Sequence, residues 1–269
     1  MLNVLHVWDQ AGVASVISKY QKRLGHNVQV LQQAKHDKND ITKLYGGHVS
    51  KKNKLFFVFV CLSKVKNYDI IHLHDAWWLV HLVHLFYPKK KMILHYHGSM
   101  VRYLKPYWKR KLWEKYVDEI IVSTPDLLSH KYFKKPIYVP NPVDTELFKR
   151  KNPTKYKMAF TALKHDQSTD QLDSLLSEHG LNLVLATMKR DQRRIKHGEF
   201  PSHLEQYEYY IDVPMYNGQI IPAHSICGLQ AMALGVKTVA WDFTISDKLP
   251  DEHKPEKVVD KLMEVYAKT

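Results

Sequence analysis

Six histidines, His72, His74, His81, His84, His95 and His97, fall between residues 72 and 97, a density that raises metal ligation as the first chemistry to test. Their spacing argues against it: His72 and His74 share one strand face, His81 and His84 share one helix face, and no paired carboxylates of the metalloprotease kind accompany them. Bound catalytic metal is therefore not expected. His97 stands apart because it follows a buried apolar run and precedes Gly98 and Ser99, a strand end where α/β proteins place ligand groups. A histidine there supplies a polar contact without acting as a nucleophile. The plain alternative is a ring satisfied by backbone.

Three further groups could bind ligands. Gly12 lies between an apolar strand and a helix, so its backbone can approach a ligand while the helix start beyond it offers free N–H groups to an anion; it could equally do no more than permit the turn. Between Val101 and Val117 the cations Arg102, Lys105 and Lys109 interleave with Trp108, Trp113 and several tyrosines. That pattern suits a membrane interface, and also suits an ordinary helix with a basic outer face. Lys189 and Arg190 open a basic run after a strand, which reads either as a phosphate-binding loop or as a solvated face.

The elements that must hold these groups alternate in type. Strands read at Asn3–Val7, Asn27–Leu31, Ile70–Leu73, Met92–His95, Glu119–Val122 and Ile137–Val139, with a helix at Val13–Leu24. Near-continuous Ile, Val and Leu in these runs suit a parallel sheet covered on both faces. A segment with three prolines, residues 140–157, then reads as a linker. A second series follows: strands Met158–Leu163, Asn182–Ala186, Tyr209–Val213 and Lys237–Trp241, and helices Thr169–Glu178, Ser225–Leu234 and Pro255–Ala267. The expected organisation is a first domain over 1–139, a linker over 140–157 and a second domain over 158–269.

With 269 residues and 45% hydrophobic content, the chain can bury one large core or two modest ones. Its cysteines, Cys61 and Cys227, are too few and too far apart for a disulfide framework, which fits a reducing cytoplasm. The opening MLNVLHVWDQ has no basic leader and reads as a first strand, and the apolar stretches are broken well before the ~20 residues of a membrane span. The formal charge of +13 favours phosphates or an anionic membrane face; no zinc-finger, RRM or KH signature points to nucleic acid. Nothing in the sequence speaks to oligomeric state.

Four stretches together resemble the retaining glycosyltransferases of lipid and polysaccharide synthesis: AGVASVISKYQKRLGHNVQVL; YDIIHLHDAWW with MILHYHGSM; VDEIIVSTPDLL; and VPNPVDTELF. They cover about Met1 to Lys149, with a thinner match at GLQAMALGVKTVAWD. The resemblance implies an α/β protein with two Rossmann-like lobes facing a cleft, the GT-B fold, and a hexose moved from a UDP- or GDP-linked donor to a glycan, polysaccharide or lipid-linked acceptor. It implies no metal and no cofactor beyond the nucleotide sugar. His97 matches the family histidine that contacts the transferred sugar, and Gly12 the acceptor-side loop. The donor would rest on the helix start at Ser225 and Ile226, with Gln230 at the ribose and Lys164, Lys189 and Arg190 near the phosphates. Asp144 caps a short turn and marks the fold.

The donor side departs from the family pattern. Gln230 stands where the family has a ribose-binding glutamate, Pro222 where it has a second one, and Ala162 and Gln167 where it has a basic pair. A glutamine accepts a hydrogen bond but without the charge-assisted strength of a carboxylate. These departures open a second expectation, a non-catalytic relative that binds or partners.

Overall fold

The computed structural model describes residues 1–98, 101–102, 114–129, 133, 135–163, 168–189, 195–216 and 218–268. The chain begins β1 (Asn3–Val7), α1 (Val13–Arg23), β2 (Asn27–Gln33), α2 (Ile41–Leu44), β3 (His48–Ser50), α3 (Lys54–Val65), β4 (Ile70–His74), α4 (Val80–Phe86), β5 (Lys91–Tyr96), β6 (Glu119–Val122) and β7 (Ile137–Tyr138). It continues β8 (Tyr156–Leu163), α5 (Thr169–Glu178), β9 (Leu185–Lys189), α6 (Phe200–Leu204), β10 (Tyr207–Ile211), β11 (Met215–Tyr216), β12 (Gln219–Ile220), α7 (Ile226–Ala233), β13 (Lys237–Val239), β14 (Ile245–Ser246) and α8 (Pro255–Lys268). Two compact units result, Met1–Pro142 with Pro255–Thr269, and Val143–Lys254.

In the first unit seven parallel strands run in the order β3-β2-β1-β4-β5-β6-β7. This contains the doubly wound order whose direction of winding reverses between β1 and β4, the place where such folds bind ligands. Alternation along β4 explains the layering. Ile71 and Leu73 pack with Leu5, Phe57, Cys61 and Leu79 on one face, while Ile70 packs with Val4, Val13, Ile17 and Ile93 on the other. His72 and His74 therefore point to the second face, near the carboxyl ends of the strands.

The closing helix differs from the sequence expectation, which placed Pro255–Ala267 in the second domain. In the structure α8 completes the first unit, its Val258, Val259, Leu262, Val265 and Tyr266 joining the α1 side of the sheet. The physical reason is area: a seven-stranded sheet offers more apolar face than the 11-residue α1 covers. Burying an apolar side chain of this size contributes about 1.5–3 kcal/mol.

The second unit has a five-stranded sheet, β14-β13-β10-β8-β9, parallel except for the edge strand β14. Its winding reverses between β8 and β10. Val143 and Phe148 belong to its core with Phe160, Tyr210 and Leu229, so it recruits part of the segment read as linker. Asp144 holds the turn there by accepting from the N–H groups of Glu146 (3.2 Å) and Leu147 (3.4 Å). The second strand of this sheet lies at Leu185–Lys189, three residues beyond the expected start at Asn182.

Candidate functional site

At the carboxyl end of β1 the chain turns through Trp8 to Gly12 with unusual backbone. Trp8 (φ 75°), Ala11 (φ 51°) and Gly12 (φ 86°) all adopt positive φ, and the first two do so without a glycine's freedom. A side chain at Gly12 would also press within 2.9 Å of Ile41. Gly12 itself gives α1 no side-chain cap. Asp9 supplies the acceptor instead, taking Ser15 Oγ–H at 2.5 Å, Thr42 Oγ1–H at 2.9 Å and Ser15 N–H at 3.3 Å. Burial pushes its carboxyl above the usual range, against the pull of those hydrogen bonds.

Asp75, after β4, also has positive φ (52°); its N–H donates to the His95 carbonyl at 2.8 Å and its Oδ1 accepts from the His97 N–H at 3.2 Å. The ends of β1, β4 and β5 thus carry Gly12, Asp75 and His97 on one edge of the sheet.

The spacing argument that the histidines do not converge is corrected by strand register. His6 pairs with His72, and His74 with His95, so four strand positions from three strands meet on one face and His97 joins them. The rings bond to one another: His6 Nδ1 to His74 Nε2 at 2.9 Å, His74 Nδ1 to His97 Nε2 at 2.9 Å, and His72 Nε2 to His95 Nδ1 at 3.2 Å. Ser123 Oγ bridges His95 Nε2 and His97 Nδ1, each at 2.8 Å. Gln21 Oε1 (2.9 Å from His6 Nε2) and the Tyr266 hydroxyl (2.7 Å from His72 Nδ1) close the two ends. His81 and His84, by contrast, face Tyr116 and stand outside this group.

Burial keeps these rings uncharged. His6 and His97 are pulled down to about 4, and His72, His74 and His95 well below the ordinary histidine value, desolvation being the largest cause in each. Uncharged imidazole is the form that ligates a metal, and the ring nitrogens of His6, His72 and His74, and of His74, His95 and His97, lie within 4.8 Å of one another. The nitrogens are already paired with one another in hydrogen bonds, so a metal bound there would have to displace those bonds. His97 is half-buried, and with both ring nitrogens engaged, Nδ1 also lying 3.2 Å from Asn141 Oδ1, a sugar contact there must share Nδ1.

Arg102 does not present its charge outward. Its guanidinium grips Asp126 (Nη2 to Oδ2 2.6 Å, Nε to Oδ2 3.1 Å) and reaches Thr124 Oγ1 at 3.0 Å, lying where any side chain at Gly98 would collide with it. Lys105, Trp108, Lys109 and Trp113 lie outside the described residues, as do Lys164, Gln167 and Arg190 on the donor side. Lys189 ends β9, its side chain likewise outside the description.

The donor-side helix start has its own occupant. Ser225 caps α7, its Oγ accepting from the Gly228 N–H at 3.2 Å. Its N–H donates to both carboxylate oxygens of Asp212, at 3.0 and 3.2 Å, and His224 Nδ1 lies 3.3 Å from the same group. Asp212 follows β10 at the reversal point of the second sheet and is 3% exposed. Gly228 permits this approach, since a Cβ there would collide with the carboxylate. Ile226 turns its side chain into the core beside Leu229, and Gln230 is buried in α7. Sequence reasoning missed Asp212, because the expected strand Tyr209–Val213 ran through it, whereas β10 ends at Ile211 and leaves the acid at the strand's carboxyl end.

The profile of Glycosyltransferase Family 4 matches residues 13–147, half of the chain. No curated protein matches the sequence. Among solved structures, an alpha-glucosyltransferase in complex with UDP-glucose and DNA containing an abasic site is similar at 10% identity and TM-score 0.57, over 97% of this chain and 89% of that one. The spinosyn forosaminyltransferase is similar at 10% identity and TM-score 0.50, over 99% and 90%. Two parallel-sheet, Rossmann-like lobes of GT-B type and a profile match over half its length lead to one conclusion: the chain belongs to Glycosyltransferase Family 4.

Proposed function

We propose that the protein is a hexosyltransferase that passes a hexose from a UDP- or GDP-linked donor, with retention and without a metal, to a glycan, polysaccharide or lipid-linked acceptor. The observation that carries this reading is the carboxyl edge of the first sheet, where strained loop residues, Gly12, Asp75 and an uncharged His97 gather at the winding reversal. In a retaining displacement the new bond to the sugar forms as the bond to phosphate breaks, and the acceptor's proton passes to the departing phosphate oxygen. The protein's share is positioning and stabilisation of the leaving diphosphate. On the donor side that share falls to the α7 start at Ser225 and Ile226, to Gln230, and to the cations Lys164, Lys189 and Arg190.

A second reading, a relative that binds or partners without turnover, has one observation in its favour: the Asp212 carboxylate already holds the helix start that a diphosphate would use. Assaying transfer and hydrolysis across UDP- and GDP-hexoses separates the two. Turnover with any donor supports the first reading; binding without turnover over the whole panel supports the second.

The proposal places the enzyme at the cytoplasmic face of an anionic membrane. No helix among the described residues is long and apolar enough to cross one. Support for surface attachment comes from α3 and α4, which expose Leu55, Phe56, Phe59, Leu85 and Phe86. Residues 41–113, which contain both helices, hold 14 Lys and Arg against two Asp, almost the whole surplus behind the net charge of +13. Apolar side chains beside cations fit a headgroup boundary rich in anionic lipid.

A further inference from the structure

The histidine group is built as two stacked rows. Within a row, rings meet edge to edge: the His6–His74, His74–His97 and His72–His95 centroids are each 5.2 Å apart, and the His74 and His97 planes differ by only 9°. Between rows they stack, His72 on His74 at 4.2 Å and 11°, and His95 beside His97 at 4.2 Å and 32°. Ser123 joins the rows at one end, and Gln21 and Tyr266, which are hydrogen-bonded to each other, close them at the other.

A neutral imidazole carries one proton, so each ring donates at one nitrogen and accepts at the other. If Gln21 turns its oxygen to His6, His6 carries its proton on Nε2 and accepts at Nδ1. His74 must then donate from Nε2, and so must His97. Ser123 donates to His97 Nδ1 and accepts from His95 Nε2–H, His72 donates from Nε2 to His95, and the Tyr266 hydroxyl donates to His72 Nδ1. Every bond of the string is made and all five rings are Nε2–H, with the Asn141 amide turned to present its NH2 and not its oxygen to His97 Nδ1.

If Gln21 instead turns its NH2 to His6, the same heavy atoms support the reverse order. All five rings are then Nδ1–H, Tyr266 accepts from His72, and His97 donates from Nδ1 to Ser123 and Asn141. In either order one reversed neutral ring would set two N–H groups or two lone pairs face to face in a buried site, which costs a lost hydrogen bond on each side.

We infer that the five imidazoles, with Gln21 and Tyr266 at the ends, form one proton-ordered string with two whole-string states, and that the string decides whether His97 accepts or donates at the first-lobe site. His6, His74, His95, His72 and the two end groups are on this account positioning residues that act through His97. The string adds to the proposed function a way to meet a ligand hydroxyl with either polarity at Nδ1, at no change in net charge. The string itself does not depend on glycosyl transfer.

The test is nitrogen NMR of protein with labelled histidine, read at neutral pH. In the unaltered chain the five rings are expected to share one tautomer or one exchange-averaged position between the two; a mixture of fixed, different tautomers overturns the inference. An unpartnered ring nitrogen is better left as a lone pair than as a buried N–H. Tyr266→Phe removes the partner of His72 Nδ1 and should therefore drive all five rings to Nε2–H. His97 does not touch Tyr266, so an Nε2–H His97 in this variant supports the string, and any other tautomer at His97 overturns it. Zinc titrated into the unaltered protein should leave these resonances in place; stoichiometric shifts would assign the cluster to a metal and overturn the inference. The readout needs no turnover, so its failure would leave the proposed activity standing.

Discussion

Each lobe brings a helix start to the reversal point of its sheet, and each fills that start with an aspartate from the preceding strand end, but with different partners. In the first lobe Asp9 takes two hydroxyls and one backbone N–H, and the ligand-facing role passes to His97 and its string. In the second lobe Asp212 lies against the helix start itself, with the Ser225 N–H and His224 as its partners. The comparison teaches that a free helix terminus cannot be assumed from a strand-to-helix junction. The chain supplies its own carboxyl group in both places, to the Ser15 N–H in the first turn of α1 and to the N–H of the cap residue Ser225 before α7.

The largest expected effect tests the first lobe. His97→Ala should lower the transfer rate by about two orders of magnitude, the usual scale for removing one oriented polar group from a reacting site. Steady-state kinetics with circular dichroism as a folding control checks it. A rate within a few fold of the parent would move the chemistry elsewhere.

Acid should weaken the first lobe, with its five buried rings, more than the second, where burial lowers His197 to about 4 as well. Burial lowers the folded values of His6 and His97 from 6.5 to about 4, so the folded form favours the uncharged rings and the unfolded chain binds more protons between those limits. Stability is fully present above pH 6.5 and is lost as pH falls toward 4, by on the order of 3 kcal/mol for the fully buried His6. Hydrogen exchange across that range should show β1, β4 and β5 losing protection before β8 and β10; the reverse order would mean that the string is not the acid-sensitive element.

A smaller effect concerns the basic half of the first lobe. Phe56→Ser with Phe59→Ser should weaken binding to anionic vesicles by about thirtyfold, since two partly inserted rings contribute a few kcal/mol. Sedimentation with anionic and zwitterionic vesicles measures it. Unchanged sedimentation would shift attachment to the basic stretch after Val101.

Much of this was legible in the sequence because β1, β4 and β5 declare themselves by near-continuous Ile, Val and Leu, and His97 by its place after such a run. The histidine string was not. His6 lies far upstream of His72, and only the parallel register of β1 with β4 and of β4 with β5 sets the rings side by side. The closing helix was misplaced for a related reason: an apolar stripe such as Val258, Val259 and Leu262 states that a helix is buried, not against which sheet. Asp212 was missed because the expected strand Tyr209–Val213 absorbed it, and nothing in the local sequence shows that the strand stops at Ile211 and that the acid beyond it serves a distant helix start.

The account stands or falls on whether the second-lobe helix start accepts a diphosphate once Asp212 is neutral. Asp212→Asn keeps the shape and one accepting oxygen and removes a charge, which near a diphosphate contributes roughly 1–2 kcal/mol of repulsion. Calorimetric titration of UDP and GDP into both proteins should show about tenfold tighter binding of one nucleotide by the variant. Equal or weaker binding would contradict the account and place the donor away from α7.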